Sequence, residues 1–125
     1  MITTYIEEES GVIWSVVTGV VTQEVLVDKM FAIRKTAGSN ATAIKVMNVF
    51  ENISTDLKAE DIKSLFTLVA SMSANLVKIR GAFVANTPRE TALSMLYADI
   101  ANKSEAFSIK VFSTTEAALQ WLHDR

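Results

Sequence analysis

Strand-like and helix-like segments alternate along this chain after an opening pair of strands, and this order constrains the fold more than any other feature. Residues 3–8 and 12–17 are rich in β-branched and aromatic side chains, and the Ser10-Gly11 turn between them predicts an antiparallel hairpin. Further strands are predicted at 43–49, 76–85 and 108–112, helices at 23–36, 58–72, 88–100 and after 113, and an irregular segment at 50–57. The order β-β-α-β-α-β-α-β-α predicts an α/β fold whose sheet is mostly parallel, opened by the hairpin and joined by right-handed crossovers.

Hydroxyl residues mark where the predicted helices begin. Thr22 stands where an N-cap is expected, and Glu24 follows in the first turn, where a carboxylate complements the helix dipole. Residues 87–90 combine a capping threonine, a proline at the first helical position and the glutamate of a capping box. Residues 113–116 form a second capping box before the last helix. These local patterns predict the helix starts independently of hydrophobic periodicity.

The composition excludes several classes of protein. The 125 residues suffice for a single domain, 1–125, with a core that needs no cross-links. The chain has no cysteine and one histidine, which excludes a disulfide scaffold and a thiolate zinc site and argues against a histidine-rich metal site. Its 12 basic and 14 acidic residues give a net charge of -2, so no nucleic-acid partner is predicted. No cofactor is predicted either.

The sequence also lacks the usual catalytic motifs. A Ser-His-Asp triad would have to use His123, near the end of the last predicted helix, and the chain has no Gly-x-Ser-x-Gly elbow. It has no Walker loop and no Gly-x-Gly-x-x-Gly motif for a nucleotide. Only Glu51 and Asp56 are acidic near the relevant strand ends, so the magnesium cluster of a response-regulator receiver is missing. We therefore expect a protein that is not an enzyme.

The sequence contains no recognisable targeting segment. Residues 1–10 are polar and acidic, unlike a signal peptide, which is basic and then apolar. The apolar runs are interrupted well before the ~20 residues that a membrane span requires. We therefore expect a cytoplasmic protein without a transmembrane segment.

The order of elements and three short stretches resemble a known fold family. The stretches are VVTGVVT at 16–22, AFVAN at 82–86 followed by Pro88, and EAALQWL at 116–122 after a Val-Phe strand end. Together they resemble the SpoIIAA-like branch of the STAS domain family, small single-domain proteins grouped with STAS and CRAL-TRIO lipid-binding domains. The resemblance spans nearly the whole chain, and it implies a STAS-like domain with a non-enzymatic role in regulation or protein interaction.

The regulatory serine of that family is not retained in this sequence. In phosphorylation-controlled STAS antagonists a serine follows an aspartate after the third strand, and a phosphate there repels or reshapes a partner surface. The resemblance aligns Asp56 with that aspartate, but the next residue is Leu57. Ser54 and Thr55 lie nearby, out of register. The resemblance therefore implies the fold without the phosphoswitch.

Two loops are candidate sites for a partner or a ligand. Open parallel sheets bind ligands at the carboxyl ends of their strands, where helix N-termini present free N–H groups. The residues at two such predicted ends are Asn52, Ser54, Thr55, Asp56, Asn86, Thr87 and Arg89.

Large apolar side chains on the predicted helices are the other candidates. The apolar stripe around residues 26–31 is broader than one core face needs, which indicates an interface or a pocket. The six candidate residues are Leu26, Met30, Phe31, Phe66, Met95 and Tyr97. They predict a homodimer interface and a groove for an apolar ligand.

Two functions remain open at this point. The first is a regulatory or protein-interaction module of STAS type, which binds an unidentified protein partner through its helical face and strand-end loops. The alternative is a domain that binds a small apolar molecule or a lipid, which requires an enclosed pocket lined by residues such as Phe66, Met95 and Tyr97.

Overall fold

The two opening strands pair as the predicted antiparallel hairpin, and the remaining strands extend the sheet in chain order. A computed structural model of the chain describes residues 1–38, 40–72 and 78–124. The elements are β1 (Ile2–Ile6), β2 (Ile13–Val21), α1 (Gln23–Ala37), β3 (Ala43–Thr55), α2 (Ala59–Met72), β4 (Lys78–Val84), α3 (Pro88–Ala101), β5 (Phe107–Phe112) and α4 (Thr115–His123). The predicted order of elements is confirmed. Residues 76 and 77 of the predicted fourth strand lie outside the described residues.

The sheet has the strand order β1-β2-β3-β4-β5. Only the β1–β2 pair is antiparallel, and the other three pairs are parallel. The predicted α/β fold, a mostly parallel sheet opened by a hairpin, is therefore confirmed.

The helices cover the two faces of the sheet unequally. Helices α1, α2 and α3 pack on one face, where Leu26, Leu65 and Tyr97 join the inward side chains of the strands. Helix α4 packs on the opposite face, where Leu122 is buried with Met47 and its neighbours. Three helices thus share one apolar interface with the sheet, which is the interface that holds the candidate site.

The predicted helix starts are found in the structure. The Thr22 hydroxyl accepts a hydrogen bond from the Val25 N–H, and the Thr87 hydroxyl accepts one from the Glu90 N–H, each at 3.2 Å. The N-cap of α4 is Thr114, which accepts from the Ala117 N–H and lies one residue after the start of the predicted capping box at 113–116. Each cap satisfies one of the backbone donors that a helix start leaves without an intrahelical partner.

The prediction of an irregular segment at 50–57 is wrong. Strand β3 continues to Thr55, because its second half pairs with the end of β2. The register shifts between Thr18 and Gly19, and Asn52, the residue left over on β3, has a φ of 50°. An extra residue of this kind is a β-bulge. The bulge and the polar residues around it hide the strand pattern in the sequence.

The free edge of β5 is closed by a side chain. The carbonyls of Ala106 and Phe112 accept hydrogen bonds from β4, so Ile109, at an alternate position, directs its backbone polar groups to the open edge. The Asn102 amide occupies that edge: its Nδ2 donates to the Ile109 carbonyl at 2.9 Å, and its Oδ1 accepts from the Ile109 N–H at 2.7 Å. Unpaired strand edges favour pairing with other chains, and this contact blocks one such position.

No helix in the described ranges has the length and apolar character needed to cross a membrane.

Candidate functional site

A small cavity lies between the sheet and helices α1, α2 and α3. Its volume is about 60 Å³, and apolar side chains from the three helices and from β2, β3 and β4 form most of its wall. Besides Tyr97 with its hydroxyl, four residues of the wall have polar side chains: Lys29, Thr55, Glu90 and Ser94. Val21, Thr55 and Leu57 stand at the carboxyl ends of β2 and β3, and Glu90 stands in the first turn of α3. The cavity therefore reaches the sheet edge at which parallel α/β folds bind ligands.

Lys29 is the unusual member of this wall. It lies on the buried side of α1 with Leu26 and Ile33, and only 1% of it is exposed. Its Nζ donates a hydrogen bond to Oδ1 of Asn48 on β3. Charged side chains are almost never fully buried unless they are paired, so this lysine needs a specific explanation.

Asn48 joins Lys29 to the sheet backbone. Its Nδ2 donates to the Ala82 carbonyl at 3.1 Å, and this second bond orients Oδ1 toward the lysine. Gly81 leaves room for the amide, because a Cβ there would lie 3.7 Å from Asn48 Nδ2 and 3.0 Å from Ile109 Cδ1. Ser15, the residue paired with Asn48 on β2, is buried, and its hydroxyl has no hydrogen-bond partner among the described residues. The centre of this interface is thus a small buried cluster of polar side chains whose hydrogen-bonding groups are not all paired.

The surroundings of the Lys29 ammonium disfavour its charge. Its Nζ lies 5.9 Å from the ring centroids of both Phe50 and Phe83, the outer limit for a cation–π contact. Within the described ranges, no carboxylate forms an ion pair with it. Burial lowers the pKa of Lys29 from 10.5 to about 7, because desolvation penalises the charged form. Burial also raises the pKa of the neighbouring Tyr97, which therefore stays neutral.

A second cavity of about 50 Å³ adjoins the first along the same interface. The two cavities share Met30, Phe83 and Tyr97, and Asn48 lines the second one. Methionine is unbranched and adopts many rotamers. A change in the Met30 side chain can therefore alter how the two spaces connect.

The predicted strand-end residues occupy the rim of the first cavity, and only Thr55 enters its wall. The Thr55 hydroxyl donates to the Val21 carbonyl at 2.8 Å and accepts from the Leu57 N–H at 3.2 Å. Arg89 donates to the Leu57 carbonyl at 2.7 Å and ties the end of β3 to α3. Thr87 caps α3. The remaining predicted rim residues, Asn52, Ser54, Asp56 and Asn86, are exposed.

The structure separates the six predicted apolar residues into three groups. Leu26, Met30 and Tyr97 line the first cavity. Phe66 packs edge-on against Tyr97 and Phe107, at centroid distances of 5.8 and 5.2 Å, and supports the wall without lining it. Phe31 and Met95 are 57% and 54% exposed. Met95 lies on the other side of α3 from Tyr97, over an open groove of about 400 Å³ between α3 and β5.

Sequence reasoning did not identify Lys29, although a signal for it was present. Lys29 follows Leu26 by three residues and precedes Ile33 by four, which places it in the buried stripe of α1. Asn48 follows Ile44 and Val46 at alternate positions of β3, and the three side chains line the same cavity. A lysine in a helix stripe and an asparagine on an inward strand face together predict a buried polar pair. No cluster of three metal-ligating His, Asp or Glu residues occurs in the described part of the chain.

The chain has a SpoIIAA-like fold, as the resemblance implied. It is similar in structure to an uncharacterized protein of the DUF3478 family from Shewanella loihica PV-4, which has a SpoIIAA-like fold. The two share 14% sequence identity over 98% of this chain and 92% of the other, with a TM-score of 0.64. No model of a known protein family matches the sequence, and no protein of curated function matches it.

Proposed function

We propose that this protein is a binding domain for a small apolar ligand, held between the sheet and helices α1–α3. The observation that carries the proposal is the apolar cavity of about 60 Å³ at the carboxyl ends of β2 and β3. Engineered apolar cavities of about 150 Å³ take up benzene. A cavity of 60 Å³ next to a second one of 50 Å³ is large enough for a few carbon atoms.

The proposed role is binding without chemical turnover. His123 lies at the end of α4, on the face of the sheet opposite the cavity, so it cannot act together with Lys29. General acid–base chemistry needs a group held within hydrogen-bond reach of the proton that it transfers. The wall of the cavity supplies Lys29, Glu90 and the neutral Tyr97, and no ion pair joins them within the described ranges.

Methyl-resolved NMR with hexanol as a neutral apolar probe tests the proposal. We expect hexanol to shift the methyl resonances of Leu26 and Leu65, which line the cavity, and not those of Leu122 on the other face. Ser94→Leu fills the cavity from α3 and should abolish these shifts. Ala92→Leu adds the same side chain on the exposed side of α3 and should leave them unchanged.

Two results would contradict the proposal. One is the absence of shifts at Leu26 and Leu65 in the unmodified protein up to the solubility limit of hexanol. The other is a set of shifts that Ser94→Leu does not remove. Native mass spectrometry of protein purified without a denaturing step complements this test, since a retained small molecule would report the natural ligand directly.

A second candidate, a protein-interaction module of STAS type, is favoured by the groove beside Met95. The groove lies between α3 and the edge strand β5, and Met95 projects over it with 54% of its surface exposed. If a partner or a second copy of the chain binds there, Met95→Glu should abolish co-purification or the dimer mass in light scattering. Leu68→Glu changes another exposed apolar residue, on α2, and should have no effect.

A further inference from the structure

The Lys29 ammonium has fewer partners than a buried charge requires. An ammonium group carries three donors, and Asn48 Oδ1 accepts one of them. The two aromatic rings near it are at the limit of useful attraction. Burying a charge without a counter-charge is costly, and an anion placed beside it repays part of that cost.

Lys29 can remain buried in its neutral form, or its ammonium can gain a counter-charge from a molecule that enters the cavity. Lys29 is part of the cavity wall, so a ligand group at that end of the cavity lies next to this side chain. Two titratable side chains face the same space from the packed elements, Tyr97 and Glu90, both on α3. Tyr97 is neutral, and the half-buried Glu90 stands at the rim in the first helical turn without an ion pair to Lys29.

We propose that the ligand of this cavity is an apolar monocarboxylate, whose carboxylate pairs with the Lys29 ammonium while its hydrocarbon part contacts the apolar wall. This inference rests on the proposed function and specifies its ligand class. A carboxylate has two acceptor oxygens, which match the donors that Asn48 leaves free. Among common anionic groups it is also small and planar, which suits a cavity of about 60 Å³.

The wall determines how such a ligand lies. The Lys29 end holds the acid group, and Ile53, Leu57 and Leu93 offer apolar contacts toward the sheet edge. A ligand with more than a few carbon atoms exceeds the enclosed volume, so its tail extends toward this edge or into the adjoining cavity past Met30.

Binding of a carboxylate should also take up a proton. Free Lys29, with a pKa of about 7, is largely neutral above neutral pH, whereas the paired ammonium is charged. Affinity for the anion should therefore fall as the pH rises above 7, by at most about tenfold per pH unit. A neutral ligand shows no such dependence on Lys29.

Titration calorimetry with hexanoate and hexanol on the full chain tests this inference. We expect hexanoate to bind more tightly than hexanol at about pH 6 and to lose that advantage at about pH 9. Titrations in two buffers of different ionisation enthalpy should show proton uptake. Lys29→Met should weaken hexanoate binding by about tenfold or more, the loss of a charge-assisted hydrogen bond, and should change hexanol binding by much less. Lys35→Met, at an exposed position of α1, is the matched control.

The possible results separate this inference from the proposed function. If hexanol binds and hexanoate gains nothing from Lys29, the ligand is neutral and the carboxylate inference is overturned while the proposed function stands. If neither compound binds to the unmodified protein, both are overturned. If Lys35→Met weakens hexanoate binding as much as Lys29→Met does, the anion binds at the surface and the inference is again overturned.

Discussion

Lys29 on α1 and Asn48 on β3 form a hydrogen bond at the centre of a mostly apolar interface between helix and sheet. The bond joins α1 to β3, and Asn48 also donates a hydrogen bond to the backbone of β4. The pair therefore contributes to the packing of α1, and Lys29 also lines the first cavity while Asn48 lines the second. Substitutions at these two positions test stability and binding together.

Lys29→Met should change how stability depends on pH. The unfolded chain holds the Lys29 proton up to its ordinary pKa of 10.5, and the folded chain releases it near pH 7. Between these values the unfolded state binds more protons, so the free energy of unfolding rises with pH, by at most about 5 kcal/mol. The Lys29→Met variant has no lysine at this position, so its free energy of unfolding should not rise in this way. The difference in stability between the variant and the unmodified protein should therefore favour the variant most below pH 7. Urea unfolding at a series of pH values measures the difference.

Lys35→Met provides the control for that experiment. Lys35 is exposed on the same helix, so its removal should shift stability by a constant amount at all pH values. If the profiles of Lys29→Met and the unmodified protein run parallel from pH 7 to 10, Lys29 is not the buried titrating group described above.

Asn48→Asp should place a permanent counter-charge beside Lys29. An adjacent carboxylate favours the ammonium, so the pKa of Lys29 should rise and the gain in stability above pH 7 should shrink. The lost donor to the Ala82 carbonyl costs about 1–3 kcal/mol. Hexanoate binding should weaken while hexanol binding persists, because the ammonium is already paired. Asn40→Asp, at an exposed position, adds the same charge without these effects.

Asn102→Ala should open the free edge of β5. The substitution removes both hydrogen bonds to the Ile109 backbone and should lower the free energy of unfolding by about 1–2 kcal/mol. It also leaves an outward N–H and C=O without partners, which favours pairing between chains. Urea unfolding and light scattering at increasing concentration measure the two effects. Lys103→Ala is the neighbouring control, and a variant as stable and monomeric as this control would refute the closing role of Asn102.

Arg80→Lys should loosen the attachment of α4 to the sheet. The Arg80 guanidinium donates to the Trp121 carbonyl at 2.6 Å and lies 3.8 Å from the centre of the Trp121 ring. A lysine lacks the planar group that makes both contacts at once. We expect a loss of about 1–2 kcal/mol and a weaker near-UV circular dichroism signal of tryptophan. Lys78→Arg, in the same strand, should change neither, and an unaltered spectrum for Arg80→Lys would argue against this contact.

The fold could be predicted because its determinants are local in the sequence. Thr22 and Thr87 mark helix starts through contacts within three residues, and the turn at Gly11 marks the hairpin. The end of β3 could not be predicted in this way. Its continuation to Thr55 depends on pairing with β2 across a bulge, and that pairing is not visible in residues 50–55 alone.

The sequence allowed a cavity to be predicted beside the helices, but not the residues that line it. Met95 and Tyr97 are two residues apart on α3, and a helix turns by about 200° over two residues, so the two cannot line the same space. The pattern of α3 is apolar on several sides, and only the packing against β5 and α2 shows which side is inside. A cavity of this size depends on how the side chains of three helices pack together against the sheet. The sequence of any one segment does not determine that packing.

The sequential strand order has a consequence for how the chain can assemble during synthesis. Each parallel strand after the hairpin joins the strand made just before it, so no strand has to be inserted between two that already pair. Each parallel pairing closes a loop of one helix and its connections, which is shorter than a pairing between strands far apart in the chain requires. The sheet can therefore grow outward from the ribosome one unit at a time. If the elements assemble in this order, the Lys29–Asn48 contact forms before α3 has been added to the sheet. The packing of α3 then completes the burial of this contact.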